Sequence, residues 1–358
     1  MATVHSGPLG AALPRGHASA RNRATPRAVA AWLFVCCALV YAMVVVGGVT
    51  RLTHSGLSIT EWQPIVGTVP PLSDADWNAA FEKYQATPEY RLVNRDMDLA
   101  AFKGIFWWEY GHRLLGRLIG VAFLVPLLWF AARGRIPKGY GARLAGIFVL
   151  GGLQGALGWY MVASGLIDDP RVSQFRLTAH LALAFLILGA MFWTALSLVR
   201  GRATPPAPVR IRHAAAAFAV LVFVMVCTGG LVAGLRAGFA YNTFPLMHGA
   251  IVPPEILMLQ PAWRNFFWNM ATVQFDHRVL AWVIALVTPL LWWRVQRAQP
   301  VSRAARLGAH ALLAMVAVQI ALGIATLVNV VPLPLAALHQ AGAVALFALA
   351  LNAAHALR

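Results

Sequence analysis

Four histidines recur in this 358-residue chain in two matched settings. Tyr110-Gly111-His112-Arg113 is echoed by Phe275-Asp276-His277-Arg278, and Leu177-Thr178-Ala179-His180 by Ala336-Ala337-Leu338-His339. Each of the four lies at or within about two turns of the start of an apolar run, so all four sit at one depth. Two neutral imidazoles facing each other across a helix bundle suit axial ligation of a haem iron, with apolar side chains forming the pocket. Zinc is a poorer fit, because it usually takes three or four protein ligands and each half of the chain offers two. One histidine near a helix end is ordinarily an interfacial group. Four at related positions point to function, since ionisable groups inside apolar spans are costly.

The two settings differ at one position. Glu109 lies three residues before His112, on the same helical face if the helix extends that far, and Gln274 holds the matching place before His277. A carboxylate beside one histidine pair and an amide beside the other suggests one reactive site and one redox site. Glu109 then serves in proton transfer or holds a reacting water, against the plainer reading of a solvated outer-face carboxylate. Arg113, Arg117 and Arg278, in the same helix turns, either hold haem propionates by charge-assisted hydrogen bonds or anchor the helices at the interface. The other seven histidines lack this arrangement and are read as surface or interface groups. The cysteines, Cys36, Cys37 and Cys227, all fall inside apolar runs and read as buried thiols.

Such residues must be carried by membrane helices. The composition is 59% hydrophobic and 11% charged, against roughly 25% charged in soluble domains. Apolar runs near 29–49, 112–132, 143–163, 177–199, 213–235, 273–293, 307–328 and 335–357 each approach the roughly 20 residues that cross a bilayer. Helices are required there, because a backbone in hydrocarbon must satisfy its own polar groups. The expected fold is an all-α integral membrane protein of eight transmembrane helices. A net charge of +17 would suggest nucleic acid in a soluble protein. Here it reports sidedness, and the expected contact is membrane lipid, with no nucleic acid. The short connections carry Arg133, Arg135, Lys138 and Arg143, then Arg200, Arg202, Arg210 and Arg212, then Arg294, Arg297, Arg303 and Arg306, and no acid. By the positive-inside rule that face and both termini are cytoplasmic, and loops 50–111 and 236–272 are outside. Residues 1–28, with Arg15, Arg21, Arg23 and Arg27, read as a cytoplasmic flank in preference to a transit peptide.

The chain is also duplicated. Gly47-Gly48 through Val69-Pro70-Pro71 is echoed by Gly229-Gly230 through Val252-Pro253-Pro254, and the run from Gln154 to Gly158 by that from Gln319 to Gly323. We read residues 29–200 and 213–358 as two four-helix repeats joined by a linker at 201–212. An even number of helices per repeat gives both halves the same orientation. The expected arrangement is two tandem four-helix bundles about a pseudo-twofold axis along the membrane normal.

At these residues the chain resembles the heme A synthases, integral membrane enzymes that make the haem of terminal oxidases. The motifs are GGVTRLTHSGLSITEWQPIVGTVPP from Gly47, EYGHRLLGR from Glu109, LTAH from Leu177, FDHR from Phe275 and LHQ from Leu338. The likeness runs from about residue 29 to the end. It implies oxidation of the C8 methyl of haem O to a formyl group by successive hydroxylations, in the N-terminal half. On that pattern His112 and His180 hold the substrate haem with Glu109 as the essential carboxylate, while His277 and His339 hold a permanent haem b. One branch of the family has a cysteine pair in its outer loops. This chain has none there and looks like the alphaproteobacterial and mitochondrial branch. A bacterial inner membrane is the expected location, with a mitochondrial inner membrane second. The substrate haem O is the expected partner, with heme O synthase and oxidase assembly factors as neighbours, and a homo-oligomer is compatible with the sequence.

Two rivals make different demands. A di-haem b-type cytochrome that only transfers electrons uses the same four histidines but needs no difference between the sites. A transporter predicts helices broken near mid-membrane in both halves. The matched prolines, Pro126 and Pro289, lie instead toward the inner ends, where a kink is the expected effect.

Overall fold

The computed structural model describes residues 18–63, 65–167, 169–203 and 205–358. The chain forms α1 (Ala18–Leu52), α2 (Asp74–Gln85), α3 (Pro88–Leu92), α4 (Leu99–Ala132), α5 (Gly141–Ala163) and α6 (Gln174–Arg200). It continues with α7 (Val209–Gly234), the short α8 (Asn265–Trp268), α9 (Met270–Arg297), α10 (Arg303–Val328) and α11 (Leu333–Leu357). Eight of these (α1, α4, α5, α6, α7, α9, α10 and α11) are long and apolar enough to cross a membrane. Among the described residues there is no strand, only an isolated bridge between Met247 and Ala250. The described residues are thus all-helical, with the eight expected spans among them. Most of the expected tail, residues 1–17, lies outside the described residues, and α1 already begins at Ala18.

Within the first half α1 packs on α4 and α6, and α5 packs on the same two helices. Within the second, α7 packs on α9 and α11, and α10 on α9 and α11. The two sets meet where α6 lies against α7 and α11, and α1 against α11. Phe185, Phe218, Leu33, Met191 and Val222 fill the core along this seam. On α4 the exposed residues Leu118, Val121, Val125 and Leu128 form a stripe at helical spacing, the kind of face that hydrocarbon covers.

The largest departure from the sequence reading is the start of α4. It begins at Leu99, capped by Asp98 accepting from the Ala101 N–H at 2.7 Å, thirteen residues before His112. This outward extension exists because Phe102, Phe106 and Tyr110, four residues apart, bury one face against Trp77 and Tyr84 of α2. Ser73 starts α2 with a reciprocal cap through Asp76. Glu109 is therefore inside a helix, one turn before His112.

The repeated glycine pairs explain how the helices approach. Consecutive helical residues point about 100° apart. Gly47 on α1 faces His112, whereas a Cβ at Gly48 would run into the Gln340 amide of α11. Likewise Gly229 on α7 faces His277, and a Cβ at Gly230 would lie 2.9 Å from the Thr178 hydroxyl of α6. The first glycine of each pair makes room for a histidine and the second for the other half of the chain.

Candidate functional site

Each of the four histidines lies flat against a glycine of a neighbouring helix. A Cβ on Gly47 would be 2.9 Å from His112 Nε2, one on Gly158 2.9 Å from His180 Cε1, one on Gly229 3.4 Å from His277 Cε1 and one on Gly323 2.9 Å from His339 Cε1. The pairing is α1 with α4, α5 with α6, α7 with α9 and α10 with α11. His112 lies within electrostatic reach of His180, and His277 of His339. No group of three or more His, Cys, Asp or Glu side chains that could hold a metal ion occurs among the described residues.

Two glutamines steady one member of each pair. Gln154 Nε2 donates to the His180 carbonyl at 3.0 Å and lies 3.3 Å from the ring, while Gln319 Nε2 donates to the His339 carbonyl at 2.9 Å and lies 3.2 Å from the ring. These residues, one turn before Gly158 and Gly323, stand in the duplicated segments, but their role needed the fold to become visible. His180 Nδ1 is buried without a hydrogen-bond partner.

Around Glu109 the loop between α1 and α2 closes on α4. Glu109 is buried, and both oxygens are engaged: Oε2 accepts from Ser58 Oγ at 2.7 Å and from the Ile59 N–H at 2.8 Å, Oε1 from Arg113 Nε at 3.0 Å and Nη2 at 2.6 Å. Four donors fill the four acceptor positions of an ionised carboxylate. Glu109 is therefore no solvated surface group. Arg113 also donates to the carbonyls of Ile59 at 2.7 Å and Glu61 at 2.9 Å, and Arg117 donates to that of Gln63 at 2.9 Å.

The second half repeats the clamp without the charge. Arg278 donates to the carbonyls of Tyr241 at 2.8 Å and Thr243 at 2.9 Å and to Gln274 Oε1 at 2.8 Å, while Gln274 Nε2 donates to the Ala237 carbonyl at 2.6 Å. Arg278 Nε is buried and unpartnered, whereas Arg113 Nε donates to Glu109 Oε1. All three arginines expected near the histidines thus lie against backbone carbonyls of the loops after α1 and α7.

One buried carboxyl was not anticipated. Glu89, in α3, is as inaccessible as Glu109 and its Oε2 has no hydrogen-bond partner. Burial, reinforced by the negative charge of Glu109 and opposed by Arg236, pushes its carboxyl up to about 8. Nothing local in the sequence marks it. Of the histidines set aside, His54 meets Arg236 Nη2 at 3.1 Å, His248 packs on Tyr241, and His355 is buried between α6 and α11 against Trp193. The three cysteines are free, two of them buried.

Fold and site together define a multi-pass helical membrane protein with two histidine pairs and one charged loop clamp. Residues 30–351 match the family described as cytochrome oxidase assembly protein. The chain is 59% identical to the heme A synthase of Nitrosospira multiformis over 94% of its length and 95% of the relative's. It is 54% identical to that of Nitrosomonas eutropha, over 90% and 92%, and 50% identical to that of Rhodospirillum centenum, over 94% and 90%. The chain belongs to this family, the heme A synthases.

Proposed function

We infer that this bacterial multi-pass membrane protein is an oxidoreductase that converts haem O to haem A, oxidising the C8 methyl to a formyl group through successive hydroxylations. The names of its relatives support an enzyme over a purely electron-transferring cytochrome. The observation that carries the division of labour is the Glu109 and Gln274 contrast inside otherwise matched clamps. His112 and His180 would hold the substrate haem, and His277 and His339 a resident haem b. The residues fit such groups: each half offers two imidazoles cradled by glycines, and His180 Nδ1 is an orphaned buried ring nitrogen. The unpartnered Nε–H of Arg278 fits a propionate that the protein itself does not supply, and Arg113 and Arg117 line the matching edge of the first half. When bound, haem b supplies electrons to the substrate site.

The protein's own contribution is positional and electrostatic. Glu109 places a carboxylate one turn from His112, and Arg113 with Ser58 holds it in place. A carboxylate with every acceptor position filled takes up a proton only by releasing a donor, so its service in proton transfer or in holding a water is coupled to movement of the first outer loop. The contacts between helices support two tandem four-helix units, 29–200 and 213–358, joined at 201–212, with a pseudo-twofold axis along the membrane normal. The basic short connections support an inner-membrane orientation with both termini cytoplasmic. Heme O synthase and oxidase assembly factors are the expected neighbours, and self-association is compatible with the exposed apolar faces.

Extraction and mass identification of the haems, from protein co-expressed with heme O synthase in a host lacking its own heme A synthase, tests the reading. Haem A or its hydroxylated intermediate beside haem b is expected. Haem b alone, with haem O untouched in the membrane, would replace the enzyme by an electron-transfer cytochrome.

A further inference from the structure

The histidine pairs are held alike on one side and differently on the other. Gln154 and Gln319 donate alike to the backbone carbonyls of His180 and His339, although Gln154 Nε2 meets the first ring at Nε2 and Gln319 Nε2 meets the second at Nδ1. His277 has an additional hold: its Nδ1 lies 2.8 Å from Thr228 Oγ1, which is also 2.9 Å from the Met225 carbonyl. A hydroxyl carries one hydrogen. With that hydrogen on the Met225 carbonyl, the usual back-bond of a helical threonine, the contact to His277 is Nδ1–H donating to Oγ1. That bond selects the neutral tautomer with a bare Nε2 and pins the ring. Through the duplication, the residue matching Thr228 is Val46, each immediately preceding the glycine that faces its histidine. Valine has nearly the shape of threonine and no hydroxyl. Neither ring nitrogen of His112 has a hydrogen-bond partner among the described residues.

Building on the haem reading above, we propose that Thr228 is a positioning residue that makes His277 a permanent axial ligand, and that Val46 leaves His112 as the ligand free to turn aside. A ligating imidazole whose second nitrogen donates a hydrogen bond is a stronger and better-oriented donor, and loss of such a partner typically weakens metal binding 10–100-fold. The resident group must stay for many turnovers, whereas the substrate must enter and its product leave. A threonine in one half and a valine in the other meet these opposite needs while both halves keep a glycine beside each histidine and a glutamine on the carbonyl of the second.

The test uses full-length protein purified in detergent, with apomyoglobin as haem acceptor. For Thr228→Val, haem b transfers to apomyoglobin at least about tenfold faster than from wild type, and its midpoint potential moves positive because the ligand donates less. Thr228→Ser, which keeps the hydroxyl, restores both. For Val46→Thr, release of haem O or its products from the first half slows by about tenfold, a readout that stands even if Thr228→Val does not accumulate. Transfer rates and potentials of Thr228→Val within twofold of wild type, or Val46→Thr release unchanged, would overturn the proposal. Wild-type protein without haem b would instead sink the haem reading on which it rests.

Discussion

The two outer clamps solve one mechanical problem with different chemistry. In both halves an arginine four residues beyond the key position, Arg113 or Arg278, ties two carbonyls of the preceding loop to its helix. In the first half the partner is Glu109, which also collects the Ser58 hydroxyl and the Ile59 N–H. In the second it is Gln274, which turns its amide N–H toward the Ala237 carbonyl. The amide suffices to hold the loop. A buried carboxylate is costly unless paired, and only the first clamp carries one, the contrast on which the proposed division of labour rests.

The comparison can be broken most severely at the histidines. His277→Ala or His339→Ala should abolish haem b binding and with it turnover, read by the absorption spectrum of the purified protein; full haem b in either variant would dissolve the pairing. Next, Glu109→Gln installs the second half's residue in the first. Haem b should be unchanged while formyl production falls at least about 100-fold, within the range for loss of a group acting in proton transfer. Continued haem A synthesis would remove the role given to Glu109.

A smaller effect separates the clamps as structures. Arg113→Ala strands a buried carboxylate, at roughly 3–5 kcal/mol, whereas Arg278→Ala strands a neutral amide, at about 1–3 kcal/mol. The first outer loop should therefore become protease-sensitive in the former variant well before the second does in the latter. Equal sensitivity would mean that the charge is not what distinguishes them.

The smallest effect is a pH dependence confined to the first loop. Glu89 holds its proton up to about 8 in the folded state, against an ordinary value of 4.5, with Glu109 and Arg236 as its charged neighbours. Folding thus binds a proton between those values, so the loop's stability falls as pH rises from about 4.5 and levels off above about 8. The protection of residues 74–98 from hydrogen exchange, relative to the intrinsic rate at each pH, should fall between pH 6 and pH 8.5 in wild type, and Glu89→Gln should flatten that fall. An unchanged pH response in the variant would place its origin elsewhere.

Much of this was legible beforehand. The eight spans followed from runs of apolar residues, and the histidines from their repetition. The thirteen-residue outward start of α4 was not, because Lys103 and Glu109 interrupt its apolarity and its buried face depends on aromatic residues of α2. Asp98 as a helix cap was the one local signal available. The arginines were read with two options open, and only the positions of the loop carbonyls, about 50 residues before Arg113 and 35 before Arg278 in the chain, reveal what they grip.

By itself the sequence determined the spans, the duplication, the matched histidines and the placement of the basic connections, because each is a pattern of period or composition along one dimension. Tertiary structure alone decided that Glu109 is saturated, that Glu89 is buried without a partner, and that Thr228 reaches His277 while Val46 offers His112 nothing. The hydrogen bonds among them join residues 4 to 51 apart, and a hydrogen bond depends on distance and direction in space, which residue order does not encode.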